Sequence, residues 1–320
     1  MIELFIGLLA FFVTWMTVPF LRNLAIRFHF VDMPNHRKVH KDPLPMLGGA
    51  AIFFGLIVSL LVVKWLGYPL DKVNVGIVAG AIMVFAIGLI DDYFKTRSKD
   101  FPAFPRFIIQ IAAAYLVVHF GGAVRGIGIP YPEYHYIIFP HSISVVLTVI
   151  WIVGVINVFN FLDGIDGLAA GIAAISSITL VSVALVQGQM NAAFCAIALT
   201  GSSLGFLKHN FFPARIIMGD SGSGLIGFLL ASIAIIGTMK KITILSIFVP
   251  ILALGVPILD GIRVVIQRMM KGKAPYAADR THGHHKLLDA GFTQKQAVFI
   301  LYLIGTCFSL TSVIILLLNG

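Results

Sequence analysis

The chain has 320 residues, of which 58% are hydrophobic and only 12% charged, about half the charged share of a soluble domain, roughly 25%. That excludes an ordinary soluble globular fold and points to an all-α polytopic membrane protein, each span needing roughly 20 apolar residues. The net charge of +9 would suit nucleic acid, but its distribution follows membrane topology instead. Cys195 and Cys307 both lie in apolar runs, which indicates neither a disulfide framework nor a zinc site.

Ten apolar segments are predicted as spans, at roughly 2–21, 46–66, 73–90, 106–120, 141–159, 166–186, 190–207, 222–238, 242–266 and 296–318. No long polar insert divides them, so residues 1–320 read as one transmembrane domain. The first segment carries Glu3 and no basic lead, which reads as a retained helix rather than a cleaved signal. Ten spans sort the polar segments into two alternating sets. One set, 22–45, 91–105, 160–165, 208–221 and 267–295 with the adjoining helix ends, holds every Lys and Arg except Lys64, Lys72, Arg125, Lys240 and Lys241. Basic residues accumulate on the cytoplasmic side, so that set is expected inside and both termini outside. Every Asp except Asp71 falls in or beside the same set. Acidic residues contribute little to orientation, so this bias points to function.

The inside segments carry distinct motifs. The first holds Asn35-His36-Arg37-Lys38-Val39-His40, denser in basic residues than topology needs, followed by Pro45-Met46-Leu47-Gly48-Gly49. The third span ends in Asp91-Asp92, with Lys95 one helical turn on. Adjacent carboxylates repel, which either a metal or phosphate-bound ion or a plain ion pair at a solvated helix end would relieve. Asn157, Asn160, Asp163 and Asp166 recur every third position, a helical stripe that begins inside an apolar span, where such residues are costly and functional. Lys208-His209-Asn210 and Met218-Gly219-Asp220-Ser221-Gly222 share the next segment. There Asp220 suits either an N-cap or a hard-metal carboxylate beside glycine amides. No phosphate-binding GxxxxGK[ST] loop is present. Arg280-Thr281-His282-Gly283-His284-His285 lies in the largest segment. After it, HHKLLDAG predicts two helical turns stopped at Gly291, and Thr293 with Gln296 predicts a capping box for the last span.

Taken together, DDxxK, NxxNxxDGxDGLA, MGDxGS and HxHH resemble the polyprenyl-phosphate N-acetylhexosamine-1-phosphate transferases over nearly the whole chain. The segment PNHRKVHxxPxPxxGG and the ending HGHH are similar to the GlcNAc branch rather than the MurNAc-pentapeptide branch of peptidoglycan synthesis. Gly224 departs from the pattern, standing where a larger residue is usual.

The resemblance implies transfer of GlcNAc-1-phosphate, or a close HexNAc-1-phosphate, from a UDP-sugar to undecaprenyl phosphate with release of UMP. That would be the first membrane step of a cell-envelope polysaccharide such as lipopolysaccharide O-antigen, or of teichoic acid. It implies magnesium, with manganese as a substitute, held by Asp220 and Asn160 with Asp163 beside them. Asp91 and Asp92 would orient or deprotonate the carrier phosphate. Lys95, Arg280, His282, His284 and His285 would hold diphosphate oxygens, and Asp166 the uracil edge. Lys38, Asn157 and Asn210 complete the expected substrate contacts. The site would face the cytoplasm at a bacterial inner membrane, with room for a homodimer. A secondary transporter is the rival from another class; it would place ionisable groups near the midplane of paired repeats, whereas here they crowd one side. An aromatic prenyltransferase would want a third acid where Lys95 stands, and an alcohol phosphotransferase an Arg that the 163–169 segment lacks.

Overall fold

A computed structural model describes residues 1–33, 43–129, 135–238, 245–272 and 282–319. Among them the protein is a polytopic helical membrane protein. Its helices are α1 (Ile2–Arg27), α2 (Gly48–Trp65), α3 (Lys72–Thr96), α4 (Ala103–His119), α5 (His141–Leu162), α6 (Leu168–Val186), α7 (Met190–Asn210), α8 (Gly219–Thr238), α9 (Leu245–Ala253), α10 (Gly255–Met270), α11 (Gly283–Asp289) and α12 (Gln294–Asn319). Two short antiparallel ribbons accompany them, β1 (Val31–Asp32) with β2 (Leu44–Pro45) and β3 (Gly126–Ile129) with β4 (His135–Ile138).

Among the described residues eight helices, α1 to α3, α5 to α8 and α12, are long and apolar enough to cross a membrane. The other two predicted spans differ in form. The fourth, α4, is a 17-residue apolar helix with Pro105 in its first turn, where a missing N–H costs nothing. The ninth is broken. α9 stops at Ala253 and α10 starts at Gly255, four residues and two residues ahead of Pro257. Proline cannot donate to the carbonyl four residues back and its ring crowds that carbonyl, so the break falls where Pro257 dictates. Thr293 and Gln296 form the predicted capping box, with Thr293 N–H on Gln296 Oε1 at 2.9 Å and Gln296 N–H on Thr293 Oγ1 at 3.4 Å. α11 and the left-handed Gly291 (φ 91°) also follow the sequence.

α8 is the axis of the bundle and is buried along almost its whole length, against α3 and α5 chiefly, with α2, α6 and α7 around it. α1 packs on α7 and α2, and α12 on α6 and α9. Lipid tails are as apolar as leucine, so these contacts depend on close backbone approach at small residues. Any Cβ on Gly201 of α7 would strike the Gly7 carbonyl of α1, and one on Gly55 of α2 would strike Thr14 and Ser202. Overpacking of this kind costs about 1–3 kcal/mol. Gly201→Val is therefore expected to lower the unfolding midpoint in detergent. Gly154→Ala, whose added methyl meets nothing within 4 Å, should not; equal midpoints for both variants would contradict this packing.

Candidate active site

The ends of α3, α5 and α7 and the starts of α4, α6 and α8 meet at one end of the bundle. The geometry is set first by α3 against α8. Gly88 lets the two backbones touch: a Cβ there would sit 2.5 Å from Ser221 Cα. Four residues on, Asp92 reaches the start of α8. Its Oδ1 accepts the Asp220 N–H at 2.7 Å and its Oδ2 the Ser221 N–H at 3.0 Å. Asp92 is completely buried. These are two of the amides that a helix start leaves without partners, so α8 is capped by a carboxylate from α3. Gly219 makes room for it, with φ 71° and a Cβ position 2.5 Å from Asp92 Oδ2. The reading of Asp220 as the N-cap is thereby corrected: it lies inside the first turn of α8, and its side chain points elsewhere.

That side chain meets two cations. Lys95 Nζ lies 2.6 Å from Asp220 Oδ1 and 3.6 Å from Asp91 Oδ2. Arg106 Nη1, from the first turn of α4, lies 3.0 Å from Asp220 Oδ2 and 2.8 Å from Asp91 Oδ2. Asp91 and Asp220 are thus bridged twice. Nearby, Asn160 Nδ2 donates to Ser223 Oγ at 3.1 Å, and Ser223 Oγ to the Gly219 carbonyl at 3.0 Å. Asn160, Asn157, Gln110, Arg106 and Asp220 line one small cavity between α3, α4, α5 and α8. Asn157 Nδ2 donates to Gln110 Oε1 at 2.9 Å across it.

The predicted stripe is helical only in its first half. α5 ends at Leu162, and Asp163 and Asp166 stand in the loop to α6, whose N-cap Gly167 is left-handed (φ 81°). The loop is pinned from three sides. Asn210 Oδ1 accepts the Gly167 N–H at 3.0 Å while its Nδ2 donates to the Ile216 carbonyl at 2.9 Å. Tyr302 of α12 donates to the Gly167 carbonyl at 2.6 Å, and Asp166 Oδ2 accepts the Ala214 N–H at 3.0 Å. Buried Asn210 therefore ties two loops together with both ends of its amide. Asp163 is partly buried; that burial, then the charges of Asp220 and Asp92, push its carboxyl up to about 8.

The histidine segment closes over this loop. His284 packs on Gly164, where any Cβ would drive into the imidazole ring. Its Nε2 is buried without a hydrogen-bond partner among the described residues, and burial followed by the neighbouring His285 and His282 pulls its pKa down to about 3. It is a neutral ring rather than a cation. His282 is held by Asp260 of α10: Nδ1 lies 2.9 Å from Asp260 Oδ2, and the Gly283 N–H donates to Asp260 Oδ1 at 2.8 Å. Arg268 Nη2 lies 3.5 Å from His282 Nε2. His285, its ring 4.3 Å from that of His284 and tilted 47° to it, completes the group. Lys38 and Arg280 lie outside the described residues.

Could a divalent cation fit? Two carboxylates, Asp91 and Asp220, share Lys95 and Arg106, and Asp92 is joined to the same turn of α8 through the Asp220 and Ser221 amides. Asn160 Oδ1 accepts no protein hydrogen bond among the described residues, leaving a neutral oxygen beside Asp220. Among the described residues no three His, Cys, Asp or Glu side chains converge as a cage. Magnesium needs none, since it binds through one or two carboxylates and completes its shell with waters and substrate phosphates. The donor set fits a hard cation of that kind.

Sequence reasoning assigned Arg106 to topology and passed over Gln110, Ser223, Asp260 and Arg268. Asp260 carried a signal, as a carboxylate within a predicted apolar span. Arg106 and Gln110 are one turn apart on the short fourth span, a weaker one.

Residues 74–238 match glycosyl transferase family 4. The chain is 34% identical to a probable undecaprenyl-phosphate N-acetylglucosaminyl 1-phosphate transferase of Bacillus subtilis (strain 168), covering 96% of this chain and 84% of that protein. It is 34% identical to a decaprenyl-phosphate N-acetylglucosaminephosphotransferase of Mycolicibacterium smegmatis, over 93% and 78% of the two chains. It is 32% identical to an undecaprenyl-phosphate alpha-N-acetylglucosaminyl 1-phosphate transferase of Haemophilus influenzae, over 94% and 82%.

Proposed function

The chain belongs to glycosyl transferase family 4, and from that premise we propose that it transfers GlcNAc-1-phosphate from UDP-GlcNAc to undecaprenyl phosphate. An oxygen of the carrier phosphate attacks the phosphorus that bears the sugar. The bond from that phosphorus to the bridging oxygen breaks, and UMP leaves with the electron pair. The observation that carries the reading is the doubly bridged Asp91–Asp220 pair, beside the 163–167 loop and beneath the histidines. The GlcNAc-specific names of the relatives favour this branch over a UDP-MurNAc-pentapeptide substrate. Ionisable groups gathered at one end of the bundle fit an interfacial enzyme better than a transporter.

Attacker and leaving group are both anionic, so the site must offset repulsion and hold two phosphates in line. Asp220 and Asn160 would hold magnesium or manganese, with Asp163 adjacent. When bound, the ion supplies Lewis-acid neutralisation at the phosphoryl oxygens. Lys95 places a point charge at the same oxygens. Asp91, one residue from the cap, faces the cations and is placed to orient the carrier phosphate; a phosphate dianion needs no strong base. The second oxygen of Asp166 remains to read the uracil edge. Neutral His284 and its neighbour His285 donate to the diphosphate, while Asp260 fixes His282 beside them. The basic residues of the same bundle end support a site at the cytoplasmic face of a bacterial membrane.

The test is UMP release by purified protein in detergent, with undecaprenyl phosphate and a panel of UDP-sugars. Carrier-dependent release from UDP-GlcNAc, lost on adding EDTA and restored by magnesium, is the expected result. Release from no UDP-sugar by folded protein would sink the transferase reading.

A further inference from the structure

Arg106 is not accounted for by topology. Its Nη1 alone bridges Asp91 and Asp220, at 2.8 and 3.0 Å. The rest of the guanidinium makes no protein hydrogen bond among the described residues, yet it lies at the wall of the cavity shared by Asn157, Asn160 and Gln110. Lys95 already spans the same two carboxylates, so a second cation is not needed to join them. A guanidinium carries five N–H donors in a planar fork that matches two oxygens of a phosphoryl group, which a lysine cannot do. It is also 29% exposed, whereas Asp91 is 2% exposed, so the cation is the partner free to turn.

We propose that Arg106 is a phosphoryl-binding residue of this site, held by Asp91 and Asp220 until a substrate phosphate takes its fork. The inference rests on the transferase reading, in which two phosphates enter this cavity: the carrier's monophosphate and the donor's diphosphate. Both present the same chemistry, and the experiment separates them. It also fixes a sign. Arg106 competes with any cation for the two carboxylates, so removing it should weaken phosphate binding while leaving metal binding as tight or tighter. A purely structural arginine would loosen both.

The variants are Arg106→Gln and Arg106→Lys, purified in detergent beside the unsubstituted protein. Manganese binding is followed by electron paramagnetic resonance without substrates, and KM is measured for UDP-GlcNAc and for undecaprenyl phosphate. In Arg106→Gln one KM is expected to rise about tenfold, the value of one lost charge-assisted contact, with manganese binding undiminished. The KM that moves names the phosphate. Arg106→Lys, which keeps the charge and loses the fork, should remain impaired. Unchanged KM values, or both KM values and the manganese constant loosening together, would overturn the proposal. Thermal protection by inorganic phosphate needs no turnover and so stands apart from the transferase reading. Protection of the unsubstituted protein but not of Arg106→Gln supports the assignment, and equal protection of both overturns it.

Discussion

Asp220→Ala is expected to lower carrier-dependent UMP release by about a thousandfold or more, the rate equivalent of about 4 kcal/mol of lost charge stabilisation. The Asp220 side chain is ion-paired on both of its oxygens. Its two oxygens meet Lys95 at 2.6 Å and Arg106 at 3.0 Å, it stands in the first turn of the buried axis helix α8, and it shares a cavity with Asn160. Removing the carboxylate also strips both cations of a partner, and an uncompensated charge in such a place is itself destabilising. Asp220→Asn, which keeps the shape, separates the two effects. It should unfold near the unsubstituted midpoint, bind manganese more weakly and turn over at the same low level. Release near the unsubstituted rate by folded Asp220→Asn would remove Asp220 from the metal and the mechanism alike.

The second large effect belongs to Asp92. The sequence paired it with Asp91 as a reacting group, but both of its oxygens are on the amides of Asp220 and Ser221. Its expected task is to hold α8, and with it Asp220, in place. Asparagine at position 92 keeps one acceptor and turns an N–H toward an amide that needs an oxygen. Hydrogen bonds to a charged acceptor contribute about 1.5–3 kcal/mol, so Asp92→Asn should lower release by about ten- to a hundredfold. The metal concentration for half-maximal rate should rise with it. Gly219→Ala is the independent check. It alters no charge, yet puts a Cβ against the Asp92 carboxylate at a backbone angle that L-residues rarely adopt. It should reproduce the raised metal requirement. A variant pair in which Asp92→Asn loses turnover with unaltered metal dependence, and Gly219→Ala behaves as the unsubstituted protein, would return Asp92 to the reacting groups.

Sequence by itself determined the helical membrane class, the approximate spans, the capping box at Thr293 and Gln296, and the segregation of Asp91, Lys95, Asp163, Asp166, Asp220 and the histidines to one end. Each of these depends on hydropathy, periodicity or turn chemistry within about 20 neighbouring residues, which is the range over which a chain reports its own structure. Only the tertiary structure decided what each polar group touches. Asp92 and Ser221 are 129 residues apart in sequence, and Arg106 and Asp220 are 114 apart. Nothing local distinguishes a carboxylate that caps a distant helix from one that faces a cavity. The same holds for Asn210, read as a substrate contact and found tying two loops, and for Arg106, read as topology and found between two acids. Close approach of α3 and α8 at Gly88 sets the first of those pairings. Because packing follows the shape of whole helices rather than the identity of one residue, the division of labour among neighbouring acids became legible only in three dimensions.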